Sequence, residues 1–267
     1  MTAPVVTFLS DYGYRDEFVG VCHAVIARRC PAARIIDLTH GVARHDVRAG
    51  ALTLRAALPY TPAGVHLAIV DPGVGGQRRA IAIATREESR FLLGPDNGLL
   101  LGAAAAFGGV GEAFDIGASS EALTPVSPTF HGRDIFSPVA AALADGVKLQ
   151  ELGEPIPADG LVVLPDRGAA QAVGRGDPLA ARVLSIDGYG NVALNASTAC
   201  VGAAALTVET AGAHTDVALG RTFADVAVGE LLAYVDSRGT LALAVNRGSA
   251  AELLALAVDD VVILRFR

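Results

Sequence analysis

The sequence predicts two domains of different class: an α/β domain with a largely parallel central sheet at residues 1–165, and an all-β domain at 181–267. In the first part, short β-rich apolar runs alternate with longer helical patterns, which is typical of a layered α/β domain. The segment 166–180 is rich in glycine and charge, has weak periodicity, and is predicted to be a linker. After it, short apolar runs separated by turns indicate a barrel or a sandwich.

The individual elements are predicted from the spacing of apolar residues. In the first part we expect strands at 5–9, 34–38, 65–70 and 80–84, and helices at 18–29, 47–57, 99–107 and 135–144. In the second part we expect strands at 181–186, 192–194, 204–208, 217–219, 231–235, 241–245 and 261–264.

The composition indicates a folded, well-buried protein, because 52% of the 267 residues are hydrophobic and 18% are charged. The net charge of −7 argues against a nonspecific nucleic-acid binder, which needs a basic face. Three cysteines without a CxxC pair predict reduced thiols and a cytoplasmic location, and they show no metal-ligand spacing. No signal peptide is recognisable and no apolar segment reaches about 18 residues, so we expect no membrane span.

The segment after the third predicted strand is the most informative one in the chain. The apolar run 65–70 ends at Asp71, and a glycine-rich turn at 73–76 leads to Arg78 and Arg79. Open α/β sheets place their ligand sites at the carboxyl ends of strands, and the loops there often carry reactive groups. Similar polar and glycine clusters lie beside apolar runs at 10–13, 130–134 and 187–191.

A series of such motifs covers nearly the whole chain. They are Ser10-Asp11-Tyr12-Gly13, Asp37-Leu-Thr-His40, Asp71-Pro-Gly-Val-Gly, Gly94-Pro-Asp96-Asn97-Gly98, Phe130-His131-Gly132-Arg133-Asp134, Asp187-Gly-Tyr-Gly-Asn191, Ser237-Arg238 and Asn246-Arg-Gly-Ser-Ala-Ala251. Together they resemble the S-adenosyl-L-methionine (SAM) hydroxide adenosyltransferases, or adenosine-forming SAM hydrolases, which are relatives of the fluorinating and chlorinating SAM enzymes. The resemblance implies a C-terminal β-barrel and a homotrimer, with SAM sites between the first domain of one subunit and the second domain of the next.

The resemblance also implies a reaction, in which water or hydroxide attacks C5′ of the SAM ribose and displaces L-methionine, leaving adenosine. Relatives use an Asp, an Arg and a His, and the matching positions are Asp71, Arg78 and His131. Arg79 is adjacent to Arg78, so the choice between the two arginines stays open. Both Asp71 and His131 are candidates to accept the proton of water. An arginine beside Asp71 would lower the basicity of that carboxylate, which favours His131. SAM is the substrate, and no metal or other cofactor is expected.

Further residues are assigned to SAM binding through the same resemblance. Asp11 would accept hydrogen bonds from the ribose hydroxyls, Asp187 would pair with the methionine ammonium group, and Arg238 would hold the methionine carboxylate. Backbone groups near Asn246 and Arg247 would recognise the adenine edge. The complete expected binding set is Asp11, Phe130, Asp187, Asn191, Ser237, Arg238, Asn246 and Arg247.

Several alternatives compete with hydrolysis. A SAM-dependent halogenase would need a dry halide pocket, and halogenating relatives lack the Asp and His that this chain keeps as Asp71 and His131. A metal-dependent hydrolase could use Asp11, Asp71, His40 and His131, although no HxH or HExxH spacing supports it. A non-catalytic SAM-binding or adenosine-binding module would need the same binding groups. The glycines at 73–76 do not form the GxGxxG pattern of a dinucleotide-binding enzyme.

Overall fold

The computed structural model describes residues 3–165, 170, 178–196, 206–210 and 213–266. The chain divides into two compact units, Met1–Pro165 and Asp166–Arg267. Most of the segment predicted to be a linker lies outside the described residues, as does Cys200. In the part of the chain that is described, no helix has the length and apolar character needed to cross a bilayer.

The first unit contains one seven-stranded sheet with helices on both faces. Its elements in chain order are β1 (Val5–Ser10), α1 (Phe18–Arg29), β2 (Arg34–Thr39), α2 (Val47–Ala57), β3 (Val65–Ile69), β4 (Ala80–Thr85), β5 (Phe91–Pro95), α3 (Leu101–Ala105), β6 (Val110–Asp115), α4 (Ser137–Ala144) and β7 (Glu154–Pro155). The strand order is β2-β1-β3-β5-β4-β6-β7. A π-helical turn, Gly132–Phe136, leads directly into α4.

The sheet is mixed, so the expectation of a largely parallel sheet is confirmed only in part. Strands β2, β1, β3 and β5 pair in parallel, whereas β4, β6 and β7 join through antiparallel pairings. The cause is the short connection 86–90 between β4 and β5, in which Glu88 and Ser89 adopt left-handed φ angles of 60° and 47°. A parallel pair needs a crossover of about a dozen or more residues, so a connection of this length forms a hairpin. The sequence prediction omitted β5 and β6, whose short runs carry no distinctive period, and β7, which is only the two residues Glu154–Pro155.

The central strands are buried on both faces, because helices cover both sides of the sheet. Leu67 and Ile69 of β3 pack in the same cluster as Ile26 of α1, while Ala68 packs on the opposite face with Leu54 of α2. This alternation follows from the two-residue period of a strand. It explains why these strands are continuous apolar runs in the sequence.

The second unit is a closed seven-stranded barrel, as expected. Its elements are β8 (Leu179–Ile186), β9 (Val192–Leu194), β10 (Leu206–Thr210), β11 (Ala213–Leu219), β12 (Leu231–Val235), β13 (Leu241–Val245), α5 (Ala250–Leu253) and β14 (Val261–Phe266). The order around the barrel is β10-β11-β12-β13-β9-β8-β14. Alternate residues of β8, Leu179, Ala181 and Val183, are buried in its core, as a small barrel filled by side chains requires.

Candidate active site

Two of the predicted acids begin neighbouring loops at one edge of the sheet. Strands β1 and β3 are adjacent and parallel, with Ser10 opposite Ile69. The backbone N–H of Asp11 donates to the carbonyl of Ile69 at 3.3 Å. Asp11 therefore follows the end of β1, and Asp71 follows the end of β3, where open α/β sheets bind their ligands.

Asp71, Arg78 and His131 form one hydrogen-bonded group. The Arg78 Nε donates to Asp71 Oδ1 at 2.9 Å, and its Nη2 donates to Oδ2 at 2.5 Å. The same Nη2 donates to His131 Nδ1 at 2.8 Å. A guanidinium has no acceptor, so His131 Nδ1 must be the acceptor and the proton of the neutral ring must lie on Nε2. One arginine thus sets both the position of the carboxylate and the tautomer of the imidazole.

Burial favours the neutral form of this histidine. It lowers the pKa of His131 below its ordinary value, and the nearby Arg78 lowers it further, although Asp71 and Asp134 oppose the shift. The side chains of Asp71 and Arg78 are only 7% and 11% exposed. The ion pair is therefore largely shielded from water, and in such surroundings a charge-assisted bidentate contact is stronger than at the surface.

Glycines allow the loop after β3 to fold back onto the segment that carries His131. Gly75 has a left-handed φ of 73°, and a Cβ there would collide with the carbonyl oxygen of Pro128. A Cβ at Gly73 would lie 3.1 Å from Arg78 Cγ. At the other side of the site, a Cβ at Gly132 would collide with the Tyr12 hydroxyl. A side chain at Gly75 or Gly132 would therefore force its neighbours to shift, whereas glycine permits these close approaches.

The structure distinguishes the two adjacent arginines. Arg79 points away from the group and binds Asp96, with 2.8 Å between its Nε and Oδ2, and it also donates to the carbonyl of Gly160. Asp96 in turn accepts the backbone N–H of Val162 at 2.9 Å. Arg79 thus ties the segment 158–162 to the sheet, and Arg78 is the arginine that contacts Asp71 and His131.

An open cavity of about 420 Å³ lies in front of this group. Arg78 lies behind it, with its guanidinium 5.5 Å from the centre of the Phe136 ring. Asp11, Asp71 and His131 line the cavity directly. The full set of lining residues is Asp11, Tyr12, Asp16, Phe18, Arg44, His45, Asp71, Val74, Thr129, His131 and Gly132.

Phe130, which is expected to contact adenosine, packs against two aromatic residues that line this cavity. Its ring packs 6.0 Å from Tyr12 and 5.2 Å from Phe18, and the Arg133 guanidinium lies 5.0 Å from its centre. In the described part of the chain, the aromatic rings that line the cavity are those of Tyr12 and Phe18. Burial holds the pKa of Tyr12 well above its ordinary value, so its hydroxyl remains protonated.

Sequence reasoning missed Phe18, Arg44, His45 and Thr129 at this cavity. His45 has a left-handed φ of 66°, and its backbone N–H donates to Asp11 Oδ2 at 2.9 Å. This hydrogen bond positions the Asp11 carboxylate. Phe18 and Thr129 could have been predicted at the cavity, because they lie close in sequence to the motifs at 11–16 and 130–134. The backbone conformation of His45 has no sequence signature.

The barrel carries a second open cavity, of about 860 Å³. All six binding residues predicted in this unit line it: Asp187, Asn191, Ser237, Arg238, Asn246 and Arg247. Among the described residues, the guanidinium groups of Arg238 and Arg247 have no acidic partner. Asp187 and Asp236 supply negative charge in the same cavity. The cavity therefore offers both signs of charge, which suits a zwitterionic amino-acid group.

Asp187 is held in place by its own turn. Its Oδ1 accepts the backbone N–H groups of Tyr189 and Asn191 at 2.9 Å, and its Oδ2 accepts Asn191 Nδ2 at 2.8 Å. Gly190 has a φ of 80°, and a Cβ there would collide with Ser249. A carboxylate offers about four acceptor positions, so the turn orients Asp187 and leaves it able to bind a ligand cation.

Asn246 and Arg247 differ in what they can offer a ligand. Both backbone groups of Asn246 are committed, its N–H to Glu230 at 3.0 Å and its carbonyl to Gly229 at 2.8 Å, and its side chain donates to Val226. Asn246 therefore shapes the cavity wall. Arg247 has a left-handed φ of 58°, a strained conformation that proteins often keep at functional sites.

An aromatic pair in the barrel cavity was missed by the sequence analysis. The rings of Phe223 and Tyr234 are 5.3 Å apart at an angle of 65°. Burial raises the pKa of Tyr234, and the carboxylates of Asp236 and Asp187 add to the shift. Tyr189 also lines this cavity, and in a chain with few aromatic residues such a grouping could be recognised only once the fold was known.

The structure does not assemble the metal-hydrolase alternative. His40 is buried away from the trio, with its Nδ1 2.7 Å from Ser10 Oγ and its Nε2 3.1 Å from Asp37 Oδ1. Within the described residues, the group with potential metal-ligand geometry is His23, Asp37 and His40. Asp11, Asp71 and His131 do not belong to it.

Comparison with known proteins agrees with this architecture. Residues 6–153 match the SAM hydroxide adenosyltransferase N-terminal domain, and residues 181–263 match the corresponding C-terminal domain. Proteins named (R)-S-adenosyl-L-methionine hydrolase are similar: one from Salinispora tropica is 48% identical, covering 96% of both chains, and one from Salinispora arenicola is 45% identical, covering 97% of both. Proteins named fluorinase are more distant relatives, at 27–29% identity.

A solved structure shares the fold of the whole chain. The crystal structure of an uncharacterized conserved protein from Thermotoga maritima has a TM-score of 0.88 and 35% identity, covering 97% of this chain and 99% of that one. The family models together span most of the chain, and they match the two units that the structure separates. The chain belongs to the SAM hydroxide adenosyltransferase family.

Proposed function

We propose that this protein hydrolyses S-adenosyl-L-methionine to adenosine and L-methionine. The observation that carries the proposal is the contact of one guanidinium with both Asp71 and His131 at the edge of an open cavity. The similar Salinispora proteins are named for the (R) form of SAM, so the configuration at sulfur is part of the proposal.

The substrate determines what the site must supply. The sulfonium leaves as a neutral thioether, so no acid is needed for the leaving group. The balanced reaction is SAM plus water giving adenosine, methionine and one proton. The enzyme must therefore hold a water molecule in line with the C5′–S bond and accept a proton as the new C–O bond forms. Such positioning can contribute several kcal/mol to lowering the barrier.

The hydrogen bonds support a division of roles that differs from the sequence-based one. His131 Nδ1 accepts from Arg78, so Nε2 carries a proton and acts as a donor to the water oxygen. Asp71 lines the same cavity, and its carboxylate receives the proton of the attacking water. Arg78 does not line the cavity and acts as a positioning residue for the other two.

The barrel cavity supports recognition of the methionine end of SAM. Asp187 is oriented for the ammonium group, and Arg238 has no acidic partner among the described residues and is available for the carboxylate. Asp11 is positioned for the ribose hydroxyls by the His45 N–H. We further propose a homotrimer in which the two cavities of neighbouring subunits bind one SAM molecule. This agrees with the finding that each unit carries only part of the required groups.

We also propose that the reaction needs no metal or other cofactor, and that the protein is cytoplasmic. The trio supplies the positioning and proton acceptance that the reaction requires. Cys22 and Cys30 are buried free thiols, and burial raises the pKa of Cys22 to about 11, which makes it unreactive. Such cysteine use is typical of a reducing compartment.

The deciding experiment is incubation of the purified protein with (R)-SAM or (S)-SAM in the presence of EDTA and chloride, followed by chromatography. We expect equimolar adenosine and methionine, with faster turnover of (R)-SAM. A 5′-halogenated adenosine would establish the halogenase alternative, and bound but intact SAM would establish a binding module. Activity that EDTA abolishes and a metal restores would refute the metal-free reaction. The trimer would be refuted if light scattering shows a monomer and the activity assay shows that this monomer is fully active.

A further inference from the structure

A histidine–carboxylate group lies outside the SAM cavity, between α1 and β2. His23 projects from α1, Asp37 lies in β2, and His40 follows that strand. Asp37 Oδ1 is 2.8 Å from His23 Nε2 and 3.1 Å from His40 Nε2. One ligand atom from each of the three side chains lies within 4.8 Å of the other two. Side chains from α1, from β2 and from the residue just after β2 thus converge on a single point.

His40 shows that this convergence is more than a surface ion pair. Its side chain is completely buried, and its Nε2 has no hydrogen bond with acceptable geometry to any described residue despite its proximity to Asp37. Buried polar atoms nearly always have a partner, and an exception calls for an explanation, of which a bound ion is one. This nitrogen lies 3.1 Å from Asp37 Oδ1 without a well-directed hydrogen bond to it.

The surroundings hold His40 in one orientation. Its Nδ1 lies 2.7 Å from Ser10 Oγ, and its ring packs edge-on against Phe8 at 4.6 Å and Tyr14 at 5.1 Å. Metal-binding histidines usually donate their other ring N–H to an oxygen, which sets the tautomer and the ring orientation. Ser10 Oγ can accept that hydrogen bond, and this leaves the lone pair of His40 Nε2 free for an ion.

The type and spacing of the three ligand atoms select the kind of ion. Two imidazole nitrogens and one carboxylate oxygen suit Zn²⁺ and its neighbours in the first transition row better than Mg²⁺ or Ca²⁺, which prefer all-oxygen sites. Zinc ligands lie about 2.0–2.2 Å from the metal, so an opening of a few tenths of an ångström would admit the ion. His23 and Asp37 are 32% and 27% exposed, which leaves a path from solvent.

We propose that His23, Asp37 and His40 bind one divalent transition-metal ion of the Zn²⁺ type, with water completing a tetrahedral site. The site is separate from the Asp71–Arg78–His131 group and takes no part in the proposed displacement. Its ligands connect α1 to β2. Ser10, which lies 2.7 Å from His40 Nδ1, is the last residue of β1 before the loop that begins at Asp11.

The test is calorimetric titration of the tag-free, full-length protein with ZnCl₂ after removal of bound metal. We expect one ion per chain, and visible absorption bands of tetrahedral geometry when Co²⁺ replaces Zn²⁺. His23→Gln removes one ligand at a partly exposed position and should weaken binding by at least about tenfold. The matched control is His214→Gln, because His214 is exposed and lies 3.4 Å from the carboxylate of Glu209, outside the group. It should bind as the unaltered protein does.

Two results would overturn the proposal. One is the absence of saturable binding of either ion by the unaltered protein. The other is equal affinity of the His23→Gln and His214→Gln variants, which would assign the measured binding to other surface groups. Asp37→Asn provides a second ligand variant, and circular dichroism of each variant verifies that it is folded. The calorimetric titration and the Co²⁺ absorption spectrum both report the bound ion directly, and neither depends on SAM turnover.

Discussion

Arg78 Nη2 donates to His131 Nδ1 over 2.8 Å, while the same guanidinium holds the carboxylate of Asp71. This relationship determines which imidazole nitrogen carries the proton, and so which group can receive one. It also gives Arg78 a positioning role in the proposed reaction, although this residue does not line the cavity.

Replacing His131 should separate its proposed role as a donor from a role as a base. His131→Ala should still bind SAM but lose about 10²–10⁴-fold in kcat, because orientation of the water is lost. His131→Gln retains an N–H donor without basicity, so it should keep more activity than His131→Ala. Single-turnover kinetics with calorimetric SAM binding make the comparison. Equal inactivity of the two variants with intact binding would argue for proton acceptance by His131.

The two adjacent arginines should differ in what their lysine variants lose. Arg78→Lys cannot reproduce the bidentate contact with Asp71 and the contact with His131, so kcat/KM should fall strongly. Because the side chains of Asp71 and Arg78 are largely buried, stability should fall as well. Arg79→Lys should mainly lower stability, by about 1–3 kcal/mol, since it leaves the buried Asp96 poorly satisfied. Kinetics and thermal melts of both variants provide the check. A larger loss of kcat/KM in Arg79→Lys would reverse the assignment.

The pH dependence should have an acid limb that belongs to His131. A second proton on the ring would have to bind Nδ1, which already accepts a hydrogen bond from Arg78. Burial lowers the pKa of His131, and the charge of Arg78 lowers it further. We therefore expect kcat/KM to stay level down to about pH 6.5 and to fall only below it. The free energy of unfolding should also fall as the pH decreases below that value. The reason is that His131 binds a proton more readily in the unfolded chain than in the folded one. An acid limb centred above the ordinary histidine value would contradict the contact with Arg78.

The turn after β3 should tolerate no side chain at Gly75. Gly75→Ala combines a left-handed φ with a collision against Pro128, so it should cost more than about 1 kcal/mol of stability and displace Asp71 from His131. Gly20→Ala is the control, because a Cβ at this position of α1 meets nothing within 4 Å. It should raise stability by about 0.5–1 kcal/mol without affecting turnover. Equal effects of the two substitutions would show that the turn does not constrain the site.

The barrel cavity is tested most directly at Arg238. If its guanidinium holds the methionine carboxylate before and during the displacement, Arg238→Gln should raise KM by about 10–100-fold with little change in kcat. Arg221→Gln, at an exposed arginine outside the cavity, should leave both constants unchanged. Steady-state assays with SAM measure the two effects. An unaltered KM in Arg238→Gln would remove this residue from the binding set.

Much of the secondary structure could be read from local patterns. The helices at 18–29 and 47–57 and the strands at 192–194, 231–235 and 241–245 have the predicted bounds, because their apolar residues repeat with a clear period or end at strong turn signals. The mixed sheet could not be read in this way. The direction of β4 depends on a hairpin whose short connection uses left-handed residues that are not glycine.

The sequence by itself determined the two-part architecture, the family motifs and the residue types of the candidate site, since hydrophobic period and turn composition are local properties. Only the tertiary structure decided between Arg78 and Arg79, placed Phe130 behind Tyr12 and Phe18, and set the tautomer of His131. Neighbouring side chains on one strand or loop point in opposite directions, and which of them meets a group dozens of residues away depends on how the chain packs.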